Sequence, residues 1–186
     1  MEALEERQIR PGTPGYQKAR ELYLAAFPLE ERFPFPVLWL VSLKKAVRFT
    51  GYYEGDRFLG FTHTVDTGRY LYLSFFAVDP AIRSQGLGGQ ILEHLQAQYP
   101  GRDMVVEIEP PEEAAENADQ RRRRMDFYLR NGFHDLNRHI TGGGVRYTIL
   151  TTDTDLDRNE YFKVFRILGI GLLVITARIQ RKLSQG

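Results

Sequence analysis

Apolar positions recur at helical spacing after the breaker Pro14-Gly15. Ala19, Leu22, Tyr23 and Ala26 predict a helix over Tyr16 to Phe27. The stretch FPLEERFPFP, Phe27 to Pro36, holds three prolines and predicts a connection that is irregular at least in part. Leu40, Val41 and Lys44 predict a second helix over Val37 to Ala46. The period then changes. Arg48 to Tyr53 alternates and ends in Glu54-Gly55-Asp56, and Arg57 to Val65 ends in Asp66-Thr67-Gly68, so the pair predicts a β-hairpin. Tyr70 to Val78 (YLYLSFFAV) is almost continuously apolar, as in a strand covered on both faces. Leu87, Ile91 and Leu95 define a helix that stops at Tyr99-Pro100-Gly101. Met104 to Ile108 predicts a strand, stopped by Pro110-Pro111. Glu112 to Leu129 predicts a helix, acidic at its start and basic later, with Asn131-Gly132 as its C-cap signal. Val145 to Thr151 is the last clear strand. The order predicts an α+β (mixed α/β) domain around a central sheet.

Composition narrows the chemistry. A chain of 186 residues suits one domain with one core, and no internal repeat interrupts it. There is no cysteine, which excludes a disulfide framework, a thiolate metal site and a cysteine nucleophile. The start, MEALEERQIRPGTPG, lacks a basic flank followed by an apolar core, so no signal peptide is expected. Both features point to a cytoplasmic protein. The four histidines lack ligand spacing apart from His134 and His139, and no metal is expected. The formal net charge of +1 gives no general push toward nucleic acid. The run DQRRRRMDFY does not change this, because four consecutive helical positions sweep about 300° and form no single patch. Asp119 stands four residues before Arg123, the spacing of a helical ion pair. Arg121 and Arg124 share the face of Tyr128, where a phosphate-side role and internal ion pairing both stay open. Ile167 to Ala177 (ILGIGLLVITA) is an uncharged run of eleven residues, against about 20 for a membrane-spanning helix. Packing or a contact between two copies is preferred to a membrane-surface role.

The candidate chemistry centres on RSQGLGGQIL, Arg83 to Leu92. A P-loop would end in Gly-Lys-Ser or Gly-Lys-Thr, but Gly88-Gly89-Gln90 stands there. Gly86, Gly88 and Gly89 are out of register for a dinucleotide fingerprint. Glycines before a helix let a backbone approach a bulky ligand, and the free amides of a first helical turn suit a diphosphate. Arg83 adds a planar donor fork. The alternative is that Gly86 and Gly88 only make a tight strand-to-helix turn. A second motif, FYLRNGF (Phe127 to Phe133), follows at the end of the predicted helix after the next strand.

Together, the glycine loop and Tyr128-x-x-x-Gly132-Phe133 closely resemble the GNAT superfamily of N-acetyltransferases over about Phe49 to Thr151. The resemblance implies a single GNAT-like domain over residues 1–152, with a central, mostly antiparallel sheet flanked by helices. Residues 153–186 would then be a helical apolar extension. It implies acetyl-CoA as cosubstrate and a primary amine of a small molecule or peptide as acceptor. Phe76, Ala77, Val78, Arg83, Ser84, Gln85, Gly86, Leu87, Gly88, Gly89 and Arg121 would hold the coenzyme. Tyr128 would give a proton to the departing sulfur. Some relatives place a glutamate on the strand before the loop, but no carboxylate stands between Tyr70 and Val78. Glu107, Glu109, Glu30, Glu31 and His63 are the candidate bases, and Glu109 is preferred as a carboxylate at a strand end. Transfer with no protein base also stays open, as does a non-catalytic acyl-CoA-binding or sensor module.

Overall fold

The computed structural model describes residues 4–82, 86–111, 115, 117–142 and 144–169, without the side chain of Glu30. Its first half runs β1 (Glu5–Gln8), α1 (Pro14–Ala26), α2 (Phe35–Val41), β2 (Val47–Glu54), β3 (Arg57–Asp66) and β4 (Tyr70–Val78). The second half runs α3 (Leu87–Gln98), β5 (Asp103–Ile108), α4 (Ala118–Arg130), β6 (His134–Gly142), β7 (Val145–Thr151) and α5 (Arg158–Leu168). The strands form one seven-stranded sheet in the order β1-β2-β3-β4-β5-β7-β6. Only β4 and β5 pair in parallel; the other neighbours are antiparallel. The mixed α+β fold with a mostly antiparallel sheet is therefore as expected.

The aromatic run of β4 is apolar at nearly every position because helices cover both its faces. Leu71 and Leu73 join Ile91, Leu92 and Leu95 of α3 and Tyr128 of α4 on one side. Phe75 and Ala77 meet Ala19, Leu22 and Tyr23 of α1 and Phe35 and Leu38 of α2 on the other. Tyr70 and Tyr72 lie under α5, beside its buried Tyr161 and Val164. Helix α5 is thus part of the core. Its N-cap Asp157 accepts from the amides of Asn159 and Glu160 at 2.9 and 3.1 Å. Ile167 and Leu168 end this helix, and the rest of the apolar run from residue 170 onward lies outside the described residues. Among the described residues, no helix is long and apolar enough to cross a membrane.

Helix α1 starts at Pro14 rather than Tyr16, α4 starts at Ala118 rather than Glu112, and three further elements differ from the pattern-based expectation. Strand β1 has four exposed polar residues and no apolar alternation; its pairing to Thr50–Tyr53 is a backbone affair. Strand β6 is likewise largely exposed and carries both His134 and His139. Helix α2 begins two residues earlier than the predicted Val37 and ends at Val41, where the Ser42 hydroxyl bonds the Trp39 carbonyl at 2.6 Å. Pro36 is tolerated in its first turn, where an amide proton would have no helical partner.

Candidate active site

The sheet opens in its middle. β4 and β5 pair only through Tyr70–Tyr72 and Asp103–Val105. Beyond that point β4 stays with β3 as far as Val78, while β5 follows β7 to Ile108. A bulge marks the parting: His63 faces Phe75 and Thr64 faces Leu73, so Ser74 is the extra residue. Such an insertion bends a strand and increases its twist. The Ser74 hydroxyl is buried there without a partner. The amide of Asp79 bonds the Leu59 carbonyl at 2.8 Å. Antiparallel alternation then turns the amide of Ala77 toward β3 and those of Phe76 and Val78 toward the gap.

Helix α3 starts beside this gap. Gly86 has φ +77°, a conformation that disfavours any side chain, and no side chain caps the helix. The first intrahelical bond comes from the Gln90 amide to the Gly86 carbonyl at 3.1 Å. The amides of Leu87, Gly88 and Gly89 have no acceptor within the helix. Gly88 and Gly89 answer a different need. A Cβ at Gly88 would lie 2.9 Å from the Phe127 ring, and one at Gly89 2.8 Å from Asn131 Oδ1. Those two glycines let α4 pack close to α3. Arg83, Ser84 and Gln85 lie outside the described residues.

The YLRNGF segment has a local physical cause. The Phe133 amide bonds the Tyr128 carbonyl at 3.1 Å, and the Gly132 amide bonds the Leu129 carbonyl at 3.2 Å. Gly132 is left-handed at φ +83°. This is a Schellman cap, completed by the Tyr128–Phe133 ring contact at 5.1 Å. The cap anchors Tyr128, which is 5% exposed. The Tyr128 ring meets Phe127 edge to face at 5.1 Å, and Phe127 in turn meets Phe76 of β4 at 6.1 Å. The described residues offer the Tyr128 hydroxyl no hydrogen bond. Burial pushes its pKa up to about 12, against the opposing charge of Arg124, so the phenol keeps its proton.

A cleft of about 260 Å³ lies between the end of α1 and α4, walled by Phe27, Pro28, Arg32, Glu109, Arg121 and Arg124 among others. Arg121 is satisfied internally: Nη2 meets Glu109 Oε1 at 2.7 Å, Nε meets Asn117 Oδ1 at 2.7 Å and Nη1 meets the Pro110 carbonyl at 3.4 Å.

Residues 45–135 match the family model of the acetyltransferase (GNAT) domain. The chain carries a GNAT acetyltransferase domain. Solved structures share its fold. A protein of Bacteroides thetaiotaomicron assigned to the GNAT acetyltransferases is 24% identical, with 87% of this chain and 93% of that one covered at TM-score 0.69. The ribosomal-protein-S18-alanine N-acetyltransferase of Escherichia coli is 18% identical, with 83% and 96% covered at TM-score 0.57. An aminoglycoside 6'-N-acetyltransferase solved with coenzyme A is 12% identical, with 82% and 99% covered at TM-score 0.62. No curated protein matches the sequence.

Within this GNAT domain the structure sorts the candidate bases by environment. His63 is 1% exposed, with Nε2 3.2 Å from the Leu38 carbonyl and Nδ1 unpartnered. Burial lowers its pKa to about 4, so it is a neutral core group. Glu107 accepts from the Tyr161 hydroxyl beneath α5, and burial raises its pKa. Glu109 is ion-paired with Arg121, their side chains 12% and 18% exposed. The Glu30 side chain lies outside the described residues. Glu31 is different: its Oε1 is buried with no partner, although the loop that bears it is firmly held. The Tyr23 hydroxyl accepts from the Phe33 amide at 2.8 Å and donates to the Phe33 carbonyl at 3.2 Å. Arg32 Nε bonds the Phe27 carbonyl at 2.6 Å. One ion pair differs from the expected spacing: Asp119 pairs with Arg122 at 2.5 Å, one residue closer than Arg123. Both side chains of that pair are exposed, so it is a solvated surface contact.

Proposed function

We propose that this GNAT domain is an acetyl-CoA-dependent N-acetyltransferase acting on a primary amine of a small molecule or peptide in the cytoplasm. The observation that carries the reading is the opening between β4 and β5, with the uncapped start of α3 and a Tyr128 hydroxyl that no described residue bonds. The residues fit the coenzyme. Among the described residues, a Cβ at Gly86 would meet nothing closer than Gln90 Nε2 at 4.0 Å, room that suits a ligand. The amides of Leu87, Gly88 and Gly89 would hold the diphosphate, helped by the helix dipole. Those of Phe76 and Val78 would orient the pantetheine and polarise the thioester oxygen. Ala77, whose amide serves β3, contributes its backbone to the same strand. By their place in the sequence, Arg83, Ser84 and Gln85 would add further donors to the coenzyme.

When bound, acetyl-CoA supplies an activated acetyl group. Tyr128 holds a proton and gives it to the sulfur as the carbon–sulfur bond breaks, in a site where burial raises phenol and thiol alike. Freeing a lysine-like amine at pH 7 costs about 4 to 5 kcal/mol, so a proton acceptor near the cleft would speed the transfer. Calorimetric titration with acetyl-CoA, followed by thiol release across a panel of amines, tests the reading. Saturable binding with acceptor-dependent thiol release supports it. Absence of binding overturns it, and binding without such release points to the acyl-CoA-binding module.

A further inference from the structure

We propose that Glu31 and Glu109 form a divided carboxyl pair, in which Glu31 takes the proton of the attacking amine and Glu109, locked on Arg121, receives the hydrogen bond of protonated Glu31. This rests on the N-acetyltransferase reading. Three observations carry it. First, Glu31 is the one candidate carboxyl among the described residues with a buried oxygen that has no partner. Second, Glu109 acts on Glu31 through a hydrogen bond as well as through its charge, and a bond between two carboxyls forms only when one of them holds a proton. Third, Arg124, a wall of the neighbouring cleft, acts electrostatically on both Glu31 and Tyr128. The cleft beside them shares Pro28 and Arg32 with the Glu31 loop and Glu109, Arg121 and Arg124 with the carboxyl pair. Its volume of about 260 Å³ leaves room for an amine and a bridging water.

The charged and titratable groups facing Glu31 are Tyr23 of α1, Arg32 of its own loop, Glu109 after β5, and Arg121 and Arg124 of α4. Burial raises Glu31 to about 7, Arg124 and Arg121 opposing and Glu109 adding to the rise. Different environments thus divide the work between two like groups. Atoms and electron pairs balance. The ammonium nitrogen loses a proton to Glu31, and its lone pair forms the carbon–nitrogen bond. The carbon–sulfur pair leaves with sulfur, which takes the proton of Tyr128. A second proton from nitrogen restores Tyr128, and Glu31 returns its own to solvent.

The test compares wild type, Glu31→Gln and Glu31→Asp on two probes: ethylamine, protonated at pH 7, and trifluoroethylamine, mostly free at pH 7. Glu31→Gln should lose on the order of 10²-fold in kcat/KM with ethylamine and less than about tenfold with trifluoroethylamine. Its acetyl-CoA Kd should be unchanged, and Glu31→Asp should recover most of the ethylamine rate. Carboxyl-carbon NMR of the free protein should show an inflection near pH 7 that Glu31→Gln removes. Equal losses on both amines, or no such inflection, overturn the carboxyl pair and leave the acetyltransferase reading standing. A wild type that binds no acetyl-CoA, or releases no thiol with any amine of the panel, overturns that reading, and the pair with it.

Discussion

Replacing Glu31 by Gln should stabilise the protein, and the gain should depend on pH. The glutamate is raised from an ordinary 4.5 to about 7 by burial, which outweighs the opposing charges of Arg124 and Arg121, and no hydrogen bond from the described residues reaches its Oε1. That displacement corresponds to roughly 3 kcal/mol against the charged folded form. Partial exposure of the residue reduces the expectation to about 2 kcal/mol. The sign follows from proton binding. Between the unfolded value of 4.5 and the folded value near 7, the folded protein keeps a proton that the unfolded chain has lost. The stability that Glu31 allows at acid pH therefore declines as pH rises through this window. Glutamine has the same shape and no titration. Urea unfolding of both proteins at pH 5, 6, 7 and 8 reads the difference directly, since every other titrating group is common to the pair. The advantage of Glu31→Gln should widen by about 2 kcal/mol from pH 5 to pH 8. A difference that stays constant or narrows over that range would refute the reasoning, because it would mean that Glu31 carries its charge in the fold without penalty.

Tyr128→Phe should cut turnover on the order of 10²-fold while melting temperature and acetyl-CoA affinity hold, because the hydroxyl has no partner among the described residues to lose; an equal loss of affinity would make Tyr128 a packing residue. Gly88→Ala should cost about 1 to 3 kcal/mol in chemical denaturation, since its Cβ would fall 2.9 Å from the Phe127 ring. Adding Phe127→Ala should make the Gly88 substitution nearly silent, and failure to do so would remove the helix-packing explanation. Tyr161→Phe takes from the buried Glu107 one of its two tyrosine donors, leaving Tyr72, and should destabilise by about 1 to 3 kcal/mol at neutral pH, with less loss in acid where Glu107 is protonated.

Much of the fold was legible because its causes are local. The bounds of β4 and β7 follow from apolar runs closed by turn residues. The helix that carries Tyr128 announces its end through Asn131-Gly132, and the cap bonds supply the reason. Strand β1 gave no signal, and β6 gave only that of a short strand between His134 and His139, because their side chains are mostly exposed and polar. Their strand state comes from the neighbour's backbone, which leaves no apolar alternation to read. Glycines 88 and 89 were legible as a motif, but their contacts with Phe127 and Asn131 were not, since these belong to another helix.

The sequence by itself determined the periodicity of the elements, a glycine turn into the helix at Gly86 and the capped helix that anchors Tyr128, because each depends on residues within a turn or two along the chain. Only the tertiary structure decided which carboxylate stands free. Glu107, Glu109 and Glu31 are the same chemical group, yet one is held by Tyr161, one is ion-paired with Arg121, and one is left with a bare buried oxygen. Those fates depend on where β5 leaves β4 and on which helix covers each strand end. Burial and Coulomb interactions act through space, between residues far apart in the chain, and sequence order does not record such distances.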